Sequence, residues 1–153
     1  LGRRILVVED DYIVATDICR GLSDLGATVL GPAPTPFYAL ALLGRRGVDI
    51  AVLDIKLHGQ DVFEVAEELT SRGIPIVFVT AMSPKTLPTA FRQCPVLAKP
   101  VDPHRLHALL AETLARRDAK TDLHTVPGSQ ARDDDRLMRA IVKVLRLSTD
   151  RAQ

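Results

Sequence analysis

The chain has 153 residues, of which 46% are hydrophobic and 25% charged, with a formal net charge of +1. That is room for one ordinary domain and a short appendage, with no basic field to advertise direct DNA binding or an anionic membrane surface. Cys19 and Cys94 belong to no CxxC or Cys/His cluster and read as buried or free thiols. The first apolar run, Ile5 to Val8, is too short for a signal peptide or a membrane span, so a reducing cytoplasmic setting is the expectation.

Ile5 to Val8 is β-branched and runs straight into Glu9, Asp10 and Asp11, the pattern of a strand buried on both faces in a parallel sheet. Val14, Ile18, Leu22 and Leu25 follow at near-helical spacing, and Gly26 can end that helix. Thr28 to Leu30 reads as a second strand closed by Gly31, Pro32 and Pro34. Leu40, Leu42 and Leu43 mark a second helix ending near Gly44 or Gly47. Ile50 to Leu53 is a third strand that ends in Asp54, and a polar loop through His58 and Gly59 follows. Val62, Val65, Ala66 and Leu69 mark a third helix, and Ile74 to Val79 a fourth strand with Thr80 at its end.

The rhythm then weakens. Met82 to Arg92 contains Pro84 and Pro88, and proline inside a helix costs about 3 kcal/mol, so a loop or one distorted turn is expected there. Val96 to Ala98 is a short fifth strand ending in Lys99-Pro100. Asp102 suits an N-cap with Pro103 at the first helical position, and Leu106, Leu109, Leu110 and Leu114 give the last helix of the domain. Alternating strands and helices imply an α/β, doubly wound, five-stranded parallel sheet with right-handed crossovers. The sheet-bearing domain is placed at residues 1–117, a linker marked by Pro127, Gly128 and Ser129 at 118–132, and a helical extension at 133–153. In that extension Leu137, Ile141, Val144 and Leu145 form an apolar face that needs a partner. Docking on its own domain is the first expectation, and homodimerisation through the helix the second.

In an open α/β sheet, ligands collect beyond the carboxyl ends of the strands, near the topological switch point. Glu9, Asp10, Asp54, Thr80 and Lys99 all follow strands and so share that edge. Each alone has a dull explanation, such as helix capping or solvation, but the five together do not. Close carboxylates repel unless a cation compensates, and Mg²⁺ (or Mn²⁺) takes oxygen ligands. A metal held by Asp10 and Asp54 can also take a phosphoryl oxygen, with Asp54 as nucleophile. Lys99 then supplies a compact positive charge and the Thr80 hydroxyl a hydrogen bond.

The runs Ile5-Leu6-Val7-Val8-Glu9-Asp10-Asp11, Val52-Leu53-Asp54, Thr80-Ala81 and Lys99-Pro100, in order over Arg3 to Arg117, resemble the motifs of response-regulator receiver domains. The resemblance implies the CheY-like, flavodoxin-like strand order 2-1-3-4-5. It makes Asp54 the phosphoacceptor, Glu9 a metal contact through water, and the Lys56 backbone carbonyl a metal ligand. Thr80, Ala81 and Lys99 become the phosphoryl-binding and switch residues, and the Lys99–Pro100 peptide is cis. It also implies two-component signalling, with a sensor histidine kinase or phosphotransfer protein as donor and altered protein–protein contacts with a downstream protein as output. Lys56 and Met82 resemble positions that modulate dephosphorylation. The place of the usual aromatic switch holds Val96, and the fourth helix is shortened or disordered. Phe78 to Ala81, Leu87 to Arg92 and Pro95 to Pro100 are similar to an alphaproteobacterial subgroup of often stand-alone receivers, the FAT GUY group, matched in part around Thr80.

Two other readings compete. A haloacid-dehalogenase-like phosphatase needs a second aspartate two residues after its nucleophile, where this chain has Lys56. A receiver fold acting as an interaction module independent of phosphorylation is favoured by Val96 and opposed by the intact acidic cluster. The leading reading is a phosphoacceptor that turns over no external substrate, and so not an enzyme in the usual sense. His104 and His107 lack a third ligand and read as surface or packing residues.

Overall fold

A computed structural model describes residues 2–45, 47–81, 87–121 and 130–151. Along the chain it holds β1 (Arg4–Val8), α1 (Tyr12–Asp24), β2 (Thr28–Ala33), α2 (Pro36–Arg45) and β3 (Ile50–Asp54). A hairpin of β4 (Lys56–Leu57) and β5 (Gln60–Asp61) follows, then α3 (Phe63–Ser71), β6 (Ile76–Thr80) and β7 (Val96–Ala98). Two helices close the order, α4 (Pro103–Thr121) and α5 (Gln130–Arg151). The five long strands form one sheet in the order β2-β1-β3-β6-β7, and every neighbouring pair is parallel. This is the expected 2-1-3-4-5 order once the hairpin strands are set aside.

The sheet is buried on both faces, which explains the continuous apolar runs. Leu6, Leu53 and Phe78 face α2 and α3 in one core. Ile5, Val7, Val52 and Val77 pack with Ile18 and Leu22 of α1 and Leu106 and Leu110 of α4 in the other. Asp102 Oδ1 accepts from the His104 N–H at 3.0 Å, capping α4 as its sequence foretells.

Several boundaries differ from the sequence reading. β2 runs on through Gly31 and Pro32 to Ala33, with a shift of register against Leu6 and Val8. It is an edge strand, where a missing N–H is tolerated. Gly31 has φ +105, and a Cβ there would lie 2.6 Å from the Val7 carbonyl oxygen, so only glycine fits. α4 continues to Thr121 and α5 starts at Gln130, so both enter the segment read as linker; Pro127, Gly128 and Ser129 lie outside the described residues.

Met82 and Pro84 also lie outside the described residues. In the part of the β6–β7 crossover that is described, a single 3-10 turn, Thr89–Phe91, stands where a fourth helix would. Its apolar content still seals the sheet, because Leu87 and Phe91 are 4% and 3% exposed. The Phe91 ring stacks on Phe63 at a centroid distance of 5.8 Å and meets Phe78 edge-on at 6.1 Å.

The extension docks on its own domain. Leu137 and Val144 of α5 are buried in the core that α2 and α3 share, with Ala140 and Ile141 partly buried beside them. The approach to α2 is close, since a Cβ on Gly44 would lie 3.0 Å from Leu137 Cδ2. Lys143 Nζ lies 2.7 Å from Glu64 Oε1, and Arg136 Nε 3.7 Å from Glu68 Oε2. Leu145, expected on the buried face, is half exposed on its flank with Met138 and Val142. Among the described residues no helix is long and apolar enough to cross a membrane.

Because Phe91 seals the described part of this crossover against the sheet, Phe91→Ala is expected to lower stability by about 3–5 kcal/mol, read from urea denaturation with an unchanged slope. A loss below about 1 kcal/mol would mean that the crossover does not seal the core.

Candidate functional site

The parallel order sets the carboxyl ends of β1, β3, β6 and β7 along one edge, and each delivers one part of the site. Glu9 and Asp10 leave β1, and the Glu9 N–H still donates to Ala33 O at 3.0 Å, which fixes where the chain turns away. Asp54 closes β3 and Thr80 closes β6, both buried. Lys99 follows β7, and its N–H donates to Thr80 O at 3.0 Å, extending the ladder by one residue. Asp11, part of the same acidic run, does something else: its Oδ1 accepts from Ile13 N and Val14 N at 3.0 and 3.2 Å and caps α1.

One carboxylate oxygen each from Glu9, Asp10 and Asp54 lie within 4.8 Å of one another. Lys99 Nζ sits 3.0 Å from Asp54 Oδ2 and 3.0 Å from Glu9 Oε1, so one ammonium bridges two of the three acids. The Asp11 N–H adds a donor to Glu9 Oε1 at 3.1 Å. Glu9 Oε2 is 2.9 Å from the same ammonium but is buried and receives no directed hydrogen bond. Three close carboxylates that share one ammonium are the donor set that a hard divalent cation and its waters would complete.

The electrostatics follow from the crowding. Burial pushes the Glu9 carboxyl up to about 7; Lys99 opposes the shift, and the negative Asp54 adds to it. Burial alone would lower Lys99, but hydrogen bonds to Glu9 and Asp54 outweigh it and hold the ammonium above its usual value.

The segment after Asp54 is a tight hairpin rather than the polar loop expected. His58 and Gly59 both have positive φ, 49 and 79, as a two-residue type I′ turn demands. The turn brings the His58 N–H to Asp10 Oδ2 at 2.8 Å, which ties β1's acid to the loop after β3. Histidine tolerates positive φ better than most residues, and the His-Gly pair is the signal that marks this turn in the sequence. Lys56 and Ala81 are exposed, Val96 is half buried, and the Lys99–Pro100 peptide is cis. The Gly31–Pro32 peptide is cis as well, which the sequence reading missed. His104 is exposed and His107 half buried, and among the described residues neither joins a cluster of metal-ligating groups. Met82 lies outside the described residues.

A doubly wound sheet here gathers three carboxylates and a lysine ammonium at the carboxyl edge of its strands, the donors a divalent cation and carboxylate nucleophile chemistry would use. The response regulator receiver domain matches residues 5–111, and the chain belongs to that family. The chain is 29% identical over 109 residues to the transcriptional regulatory protein PdtaR of Mycobacterium tuberculosis, covering 71% of this chain and 53% of that one. Among solved structures, the response regulator PhyR from Brucella abortus superposes with a TM-score of 0.70 at 32% identity, over 81% of this chain and 53% of that one. The solution structure of SdrG from Sphingomonas melonis gives 0.66 at 37% identity, over 74% of this chain and 97% of that one. The chain thus spans about half the length of the curated relatives it first matches. Likeness to PhyR agrees with the alphaproteobacterial subgroup resemblance. The family places the chain in two-component signalling, and the phosphorylation-independent alternative is not needed.

The raised Glu9 value predicts the sign of a pH effect without added cation. Between about 4.5 and about 7 the folded state binds more protons than the unfolded one, so stability falls as pH rises through that window. Thermal unfolding in a chelator is expected to show this decline, and Glu9→Gln to flatten it. An equal decline in the variant would assign it to another group.

Proposed function

We propose that Asp54 accepts a phosphoryl group from the phosphohistidine of a sensor kinase or phosphotransfer protein, in the cytoplasm. The observation that carries this reading is the Lys99 ammonium 3.0 Å from Asp54 Oδ2 within a three-carboxylate cluster. An Asp54 oxygen forms a bond to phosphorus as the bond from phosphorus to the donor nitrogen breaks. The electron pair returns to the imidazole, which takes a proton from solvent. Lys99, already beside the attacking carboxylate, follows the negative charge onto the phosphoryl oxygens. Asp10, Asp54 and the Lys56 carbonyl are assigned to hold Mg²⁺ or Mn²⁺, with Glu9 acting through water. The cation, when bound, neutralises charge on the transferring group.

Thr80, at the end of the neighbouring strand, is assigned to hydrogen-bond the phosphoryl group, and Ala81 to leave room beside it. Val96 supplies no aromatic ring to follow such a change, so the readout to a downstream protein runs elsewhere. The exposed side chains Tyr12 and Ile13, 80% and 72% accessible at the start of α1, offer a helical donor an apolar landing beside the acids. The exposed α5 flank of Met138, Val142 and Leu145 is the surface left for a homodimer.

Intact mass after incubation with Mg²⁺ and acetyl phosphate tests the core of this reading. One added phosphoryl group is expected in the parent, and none in Asp54→Ala or after chelation. A gain that survives Asp54→Ala would place the acceptor elsewhere.

A further inference from the structure

The extension does more than cover an apolar face. Val144 and Leu147, three residues apart on one side of α5, line a recess of about 30 Å³ together with Pro36, Gln60, Asp61 and Glu64. Gln60 and Asp61 are β5, which pairs with Lys56 and Leu57 of β4. Leu57 is fully buried in the same core cluster as Val144 and Leu137. At the far end of this hairpin, the His58 N–H is bound to Asp10. The hairpin is thus bonded to the acidic cluster through His58, and it shares a recess and a buried core with the C-terminal helix.

A two-by-two hairpin has little stability of its own and needs packing to hold its shape. On the acidic side the His58 N–H gives Asp10 one hydrogen bond at the turn. On the other side Leu57 is buried in a core to which α5 adds Leu137 and Val144, and close apolar packing restricts position. We infer that Val144 and Leu147 are positioning residues for the phosphoacceptor hairpin: the docked C-terminal helix holds β4–β5 in the form that accepts a divalent cation. The inference rests on the reading of the Lys56 carbonyl and Asp10 as cation ligands. Cation binding and helix docking are then linked, and linkage is reciprocal: the ion protects the helix as the helix favours the ion.

The test uses the full chain, Mg²⁺ as the probe, and two readouts: calorimetric affinity for Mg²⁺, and amide hydrogen exchange at residues 56–61. Leu147→Ala, whose side chain is half exposed, removes one wall of the recess while leaving Leu137 and Val144 to hold the helix. Val144→Ala is added to it in a second variant, and Met138→Ala, on the helix's exposed flank, is the control. The double variant is expected to weaken Mg²⁺ binding about tenfold and to speed exchange at 56–61. Leu147→Ala alone should move both readouts less, and Met138→Ala neither. Unchanged Mg²⁺ affinity in the double variant overturns the inference, whatever the exchange shows. An equal loss in Met138→Ala overturns it too, by making the effect a general loosening of the helix. A parent that binds Mg²⁺ yet takes no phosphoryl group from acetyl phosphate would fail the proposed function while leaving this test in force.

Discussion

The Lys99 ammonium between Glu9 and Asp54 is the interaction on which the rest of the arrangement depends. Three carboxylates cannot be gathered at a buried edge without positive charge, and removing one partner of a buried ion pair costs about 3–5 kcal/mol. The strand order sets the demand on residue type. β7 lies two strands from β3, roughly 9.6 Å across the sheet at ordinary strand spacing, with Thr80 at the end of the strand between. A lysine's long, flexible stem helps cross that gap, and its point charge can serve two carboxylates at once. The same ammonium compensates only part of the charge. Glu9 stays raised by burial and Glu9 Oε2 stays without a directed donor. One ammonium thus faces three carboxylates, a charge balance that a divalent cation would complete.

The two departures from a plain receiver lie on the face that carries α2 and α3. The crossover between β6 and β7 is reduced, in its described part, to one 3-10 turn, and Phe91 does by ring packing what a helix would do by area. On the same face α5 adds Leu137 and Val144 to the core and meets Glu64 and Glu68 with Lys143 and Arg136. Glu68 is buried, yet Arg72 Nε lies 2.8 Å from its Oε1, so its charge is answered twice, once from the residue that ends α3 and once from the extension. A helix bound by both apolar and charge-paired contacts has a defined register, which is what a positioning role requires.

The sheet was legible because its strands are buried on both faces. Runs such as Ile50 to Leu53 have no polar alternation to confuse them with surface segments. The edge where Asp10, Asp54, Thr80 and Lys99 meet followed from the strand ends alone. What the sequence hid are features fixed by tertiary contact. The strand character of Gly31 to Ala33 depends on a neighbouring strand accepting a proline at an edge. The β4–β5 hairpin has two residues per strand, too few for any periodicity, and only His58-Gly59 betrays it. Nothing in the local sequence marks Glu68 as buried, because one of its two arginines lies four residues on and the other on a separate helix. Leu137, Ile141, Val144 and Leu145 announced an apolar face, but helical spacing cannot say which neighbour covers it or that Leu145 falls on its rim.

The central claim is that the buried carboxylate beside Lys99 becomes a mixed anhydride. Borohydride reduces an acyl phosphate to an alcohol, so it turns an aspartyl phosphate into homoserine at the modified position. The chain, treated with acetyl phosphate and Mg²⁺, reduced and digested, is expected to carry homoserine at residue 54 and nowhere else. Homoserine at position 10, or a phosphorylated chain that yields none, would contradict the account.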